Sequence, residues 1–220
     1  ILSLEEPPSI NVIGCGIDDT TPTFSKDSDL WSRFSKINFL LSVGHLENRK
    51  NYKRLIFSFS RLLKLLPNKH LVIVGNDNGD KKKLSALIDT LNLKENVILL
   101  ENISDQELHT IYHLSKGVIF PSLYEGFGIP ILETMIHKKP LILSNINVFQ
   151  EITEGNAFFF DPFDENEIVR CMESVFVEPE KFIDKIEYGK KRVNDFSFKK
   201  LALDTIKRFE SIQNLKSKNF

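Results

Sequence analysis

An α/β fold with a Rossmann-like, doubly wound parallel sheet is predicted by three features of this sequence. Apolar runs of four to six residues recur along it. They are apolar almost throughout rather than alternating, the pattern of strands buried on both faces. Segments of helical period lie between them, and strand–helix alternation builds a parallel sheet.

The elements follow in order. Residues 1–36 are the least regular. Thr20 to Ser35 reads as a loop with one weak helix. Six runs read as sheet strands: Asn38 to Val43, His70 to Val74, Val97 to Leu100, Gly117 to Phe120, Pro140 to Leu143 and Ala157 to Phe160. After the first, Tyr52, Leu55, Ile56, Phe59, Leu62, Leu63 and Leu66 recur at helical spacing. Leu84, Leu87, Ile88 and Leu91 do so after the second. Leu108, Ile111, Tyr112 and Leu114 follow the third, behind Ser104 and Glu107, a capping box. Past Phe160 the chain turns helical: Glu165 to Val177, Pro179 to Val193 and Ser197 to Gln213.

Bulk properties narrow the class. A chain of 220 residues holds one large or two small domains. A net charge of −1 implies no general affinity for nucleic acid. Cys15 and Cys171 give neither a disulfide framework nor a metal cluster, which suits a reducing cytoplasm. No apolar run approaches the roughly 20 residues of a membrane span. The chain opens on Ile1, as expected of a piece of a longer protein, and its abundant Phe, Ile, Lys and Asn suit an AT-rich bacterial genome.

The richest segment is Pro121 to Pro140. Glu125 and Glu133 stand seven residues apart, with Gly126-Phe127-Gly128 and Ile129-Pro130 between them. A buried strand runs in just before. Pro130 suits the first turn of a helix, where its missing N–H costs nothing. The glycines admit a ligand close to the backbone. The helix N-terminus behind them offers N–H groups and a positive dipole end to an anion. An anion site flanked by two carboxylates fits a ligand carrying both phosphates and hydroxyls, such as a nucleotide sugar. In parallel sheets such ligands sit at the carboxyl ends of strands, and the loops after Val43, Val74, Leu100 and Phe120 all lie there.

This segment resembles the E-x7-E signature of retaining glycosyltransferases of the GT-B fold, in particular the large family 4 with its many bacterial mannosyl- and glucosyltransferases. Four other segments resemble that family in the same order: Ser42-Val43-Gly44-His45-Leu46-Glu47-Asn48-Arg49-Lys50-Asn51, Leu71 to Gly75, Phe160 to Asp164, and Phe196-Ser197-Phe198. Ile10 to Asp18 is similar to its post-linker strand, with Cys15 where Asn is usual. His45 stands where many relatives place Arg.

The resemblance implies the C-terminal half of a GT-B fold with extra C-terminal helices. Residues 1–36 would adjoin the linker, 37–195 would bind the nucleotide sugar, and 196–220 would brace an absent N-terminal acceptor domain. Glu133 would accept ribose hydroxyls. Glu125 would face the donor sugar, and Tyr124 and Phe127 would either wall the sugar pocket or merely pack. Arg49 and Lys50 would clamp the diphosphate, with Gly44, Gly126, Phe127, Gly128 and Ile129 lending backbone. A cation pair at a helix start opposes the helix dipole, a placement that points to function. Gly75 and Ile103 would border the base. The donor would be UDP- or GDP-linked, and the acceptor a glycan, lipid or protein. The fragment alone would be inactive.

No cofactor or metal is implied. His109 and His113, four apart on a helix, could suit a metal, but no third ligand pattern joins them. The whole protein is expected in the cytoplasm, with peripheral attachment at the inner membrane face left open. Alternatives are a non-catalytic sugar-nucleotide module, or a GT-B phosphorylase or epimerase. A nicotinamide oxidoreductase needs a third glycine that Gly14-Cys15-Gly16 lacks.

Overall fold

The computed structural model describes residues 14–18, 23–24 and 26–216, with side chains to residue 212. Residues 10–13 of the strand and turn expected at Ile10 to Asp18 lie outside the described residues. Among those described, six strands form one all-parallel sheet: β1 (Asn38–Val43), β2 (Lys69–Val74), β3 (Val97–Leu100), β4 (Gly117–Phe120), β5 (Leu141–Ser144) and β6 (Phe158–Phe160). The helices are α1 (Asp29–Phe34), α2 (Tyr52–Leu65), α3 (Lys81–Thr90), α4 (Asp105–Leu114), α5 (Ile129–Ile136), α6 (Asn147–Thr153), α7 (Glu165–Val177), α8 (Ile183–Arg192) and α9 (Phe198–Lys216).

Spatial order is β3-β2-β1-β4-β5-β6. The chain steps outward from β1 to β3, then returns to lay β4 on the other side of β1. At their carboxyl ends the loops after β1 and β4 therefore leave in opposite senses. That reversal is the switch point where doubly wound sheets bind ligands.

Burial on both faces explains the unbroken apolar runs. In β1, Phe39, Leu41 and Val43 enter one core and Leu40 the other, because successive strand side chains point to opposite faces. The first core includes Phe34, Ile111, Leu132 and Phe149, from α1, α4, α5 and α6. The second includes Leu55 and Phe59 of α2, Leu84 of α3, and Ile168 and Met172 of α7. The buried Ser42 hydroxyl between them donates to the Ile119 carbonyl at 2.6 Å, tying β1 to β4.

Three expectations are corrected. Helix α6 was not foreseen: its seven residues are too few for a legible period, though Phe149 and Ile152 are buried. The single helix expected from Pro179 to Val193 is broken. A 3-10 turn over Pro179–Phe182 precedes α8, and another over Val193–Phe196 follows it. The break falls where Phe182 drops fully into the core, its ring 4.2 Å from that of Phe158. Finally, Arg49 and Lys50 do not begin α2. They sit in a 3-10 turn, Asn48–Lys50, and Asn51 at φ 56° reverses the chain before the helix.

Candidate functional site

The loops after β1 and β4 meet at the switch point. The Leu123 amide donates to the Arg49 carbonyl at 2.8 Å. Across that junction Lys50 Nζ lies 2.7 Å from Glu125 Oε1, and Arg49 Nη1 contacts Glu125 Oε2. The fully buried Ser122 donates from Oγ to Glu125 Oε1 at 2.7 Å. Glu47 holds the other face of Arg49 at 2.7 Å. Burial pushes the Glu125 carboxyl up, but the Lys50, Ser122 and Arg49 contacts outweigh it and hold it below the usual range.

The backbone around the cluster is set by close approaches. A Cβ on Gly75 would stand 2.0 Å from the Gly44 carbonyl oxygen, and one on Gly44 would stand 2.8 Å from Lys50 Nζ. Only glycine at both positions lets the β1 and β2 loops meet while the lysine lies against the backbone. Tyr52 donates to the Gly44 carbonyl at 3.0 Å. Asn51 donates from Nδ2 to the Pro162 carbonyl at 2.9 Å. Two segments 111 residues apart, Arg49-Lys50-Asn51 and Asp161 to Asp164, are thereby joined.

Gly128 takes φ 102° at the start of α5, followed by Ile129 and Pro130 in its first turn. The space around Gly126 is open. Phe127 does not face the crevice: it stands edge-on to Phe196 at 5.9 Å and packs on the core. Tyr124 is exposed, 5.8 Å from the Arg49 guanidinium. Ile103 packs its side chain on the same core.

Glu133 belongs to a second group, one turn into α5. Tyr112, fully buried on α4, donates to Glu133 Oε2 at 2.8 Å. Burial raises the Glu133 carboxyl above its ordinary value, only partly offset by Tyr112 and the charge of His109. Glu133 lines a cavity of about 300 Å³ with Asp105, Leu108, His109, Ile136 and His137. A larger cavity of about 600 Å³, between α2 and α3, touches none of Gly44, Lys50, Glu125 or Glu133.

Thus the crevice gathers Gly44, Arg49, Lys50 and Glu125 into one cluster, pins Gly75 beneath it, and sets Glu133 apart beside α4. Sequence reasoning missed Glu47, Ser122 and Tyr112. Ser122 and Glu47 sit inside the quoted motifs, so their nearness to Glu125 and Arg49 was the available signal. Tyr112 was seen only as part of an apolar stripe.

The histidines do not form a metal group. His109 Nδ1 lies 3.0 Å from His137 Nε2, and His113 stacks on Phe24 instead. Among the described residues no three His, Cys, Asp or Glu are placed to hold a metal ion. Nor, among them, is any helix long and apolar enough to cross a membrane.

A doubly wound parallel sheet with a cluster of ion pairs at its switch point defines a Rossmann-like α/β domain. The family model described as glycosyl transferases group 1 matches residues 25–192, and the chain belongs to that family as a C-terminal domain. It is 34% identical over 139 residues to the O-antigen chain mannosyltransferase RfbU of Salmonella typhimurium, covering 63% of this chain and 38% of that protein. Sucrose-phosphate synthase from Thermosynechococcus elongatus superposes with a TM-score of 0.79 at 20% identity, covering 93% of this chain and 53% of that one. Anabaena Alr3699/HepE, solved in complex with UDP and glucose, gives 0.77 at 20%, covering 89% and 55%. These two likenesses show the shared fold. The chain spans under two fifths of the length of the mannosyltransferase and about half that of the solved structures.

Proposed function

We propose that residues 37–195 bind the nucleotide-sugar donor of a retaining glycosyltransferase. The enzyme would move a hexosyl group from a UDP- or GDP-linked donor to a glycan, lipid or protein acceptor. The observation that carries this reading is the meeting of Arg49, Lys50 and Glu125, from two loops, at the sheet's switch point. Two fixed cations there suit a diphosphate, whose charge grows as the sugar departs. Glu125 faces the sugar, whose oxocarbenium-like transition state favours a nearby carboxylate. Glu133, steadied by Tyr112 on one oxygen, offers the other to ribose hydroxyls. Gly126, Gly128 and Ile129 give the ligand close access to backbone. Gly75 and Ile103 border the base. The leaving phosphate takes the acceptor proton as attack proceeds on the face it vacates. The name of the mannosyltransferase relative favours a mannosyl donor, and the UDP complex of a structural neighbour supports a nucleoside diphosphate ligand.

The acceptor side lies in an N-terminal domain, braced by residues 196–220 and joined through residues 1–36. This chain alone therefore binds donor without transferring sugar. Calorimetric titration with UDP and GDP, without metal, tests the site. One diphosphate binds saturably. Glu133→Ala and Lys50→Ala each weaken it by about 1–3 kcal/mol, the range for a charged hydrogen bond. Unchanged affinity in both variants places the site elsewhere.

A further inference from the structure

The two cations of the proposed diphosphate site are already engaged. Glu125 spends one carboxylate oxygen on Lys50 and the other on Arg49. The Lys50 and Glu125 side chains are only 8% and 9% exposed, so water screens the pair little. Glu47 and Glu125 together cancel Arg49 and Lys50. The cluster is therefore neutral, and a diphosphate arriving there finds both of its cations already paired. Toward both cations, the Glu125 carboxylate makes the contacts a phosphate group would make: two oxygens, one on each donor. It sits on a loop, next to Gly126, whose Cβ position is open.

Building on the donor-site reading above, we infer that Glu125 is an internal competitor of the diphosphate and separates donor from product. When a nucleotide sugar enters, sugar hydroxyls hydrogen-bond the carboxylate and draw it off, which leaves Arg49 and Lys50 to the phosphates. Once the sugar is transferred, nothing holds the carboxylate away. It returns to the two cations and weakens their hold on the nucleoside diphosphate. The same residue thus rewards the intact donor and speeds departure of the spent one.

The test is a titration of the chain and its Glu125→Gln, Glu125→Ser and Lys50→Ala variants with UDP, GDP and the corresponding NDP-hexoses. Removing the competing charge makes both Glu125 variants bind the favoured nucleoside diphosphate about tenfold tighter or more, the equivalent of one charged hydrogen bond. Their affinity for the NDP-hexose rises less or falls, so the ratio between the two ligands shifts toward product. Diphosphate binding by the variants also falls more steeply with salt, since the cations are then neutralised by the ligand. Equal or weaker diphosphate binding in both Glu125 variants, with Lys50→Ala still weakening it, overturns the inference alone. Lys50→Ala without effect overturns the inference, and no diphosphate binding by any of the four proteins overturns the donor-site reading and the inference with it.

Discussion

Tyr112 shows how a residue can be structural by its burial and functional by one atom. Its ring lies wholly in the core, stacked 4.8 Å from His137, while its hydroxyl meets Glu133. Tyr112→Phe keeps the ring and removes the bond. It should weaken diphosphate binding by about 1 kcal/mol with little change in melting temperature, measured by calorimetry and thermal denaturation. His137 carries a pH prediction. Burial, then the charges of His109, Lys139 and His113, lowers its pKa from 6.5 to about 3. A group whose folded pKa is depressed gives up protons on folding, so stability is full above 6.5 and falls as pH drops toward 3. Melting curves between pH 7 and 5 should show this decline, and His137→Gln should flatten it. An equal slope in the variant would contradict the assignment.

At the scale of elements, legibility tracked burial. The six strands were readable because each lies between two helical layers, so apolar residues are needed at nearly every position. Bounds slipped by a residue at β2, β5 and β6: the ladder takes in polar Lys69 and Ser144, and apolar Ala157 lies before it. Capping at Ser104 was equally legible, since both halves of the box form, with Ser104 N donating to Glu107 at 2.7 Å. Helix α6 escaped because a short helix is fixed by its neighbours rather than by its own period. The clustering of Arg49, Lys50 and Glu125 was not legible either. Their positions in motifs were visible, but the ion pairing joins residues some 75 apart, and only the strand order creates it. Two glycines separate fold from site. Gly75→Ala would drive a methyl into the Gly44 carbonyl and should cost about 1–3 kcal/mol in urea denaturation. Gly126→Ala meets no neighbour. It should change stability by less than about 0.5 kcal/mol while weakening ligand binding, because its methyl enters the open crevice.

The whole molecule is asymmetric. One end of the sheet carries the crevice. Beyond the last strand, α9 exposes Phe198, Leu203, Ile206, Phe209 and Ile212, and all but Leu203 fall on one stripe. The described edge of the 1–36 segment lies beside its start, where the Ile17 amide donates to the Phe196 carbonyl at 2.7 Å. An apolar stripe left in water suits the proposed bracing of a second domain. Phe209→Lys, at a side chain exposed in this chain, should accordingly leave its melting temperature nearly unchanged, read by thermal denaturation. The central claim is that a nucleoside diphosphate binds at the switch point of this sheet. Hydrogen–deuterium exchange with and without saturating UDP or GDP tests it most directly. Protection concentrated in residues 44–51 and 121–137 is the predicted result. Protection centred on the cavity between α2 and α3, or none anywhere, would contradict it.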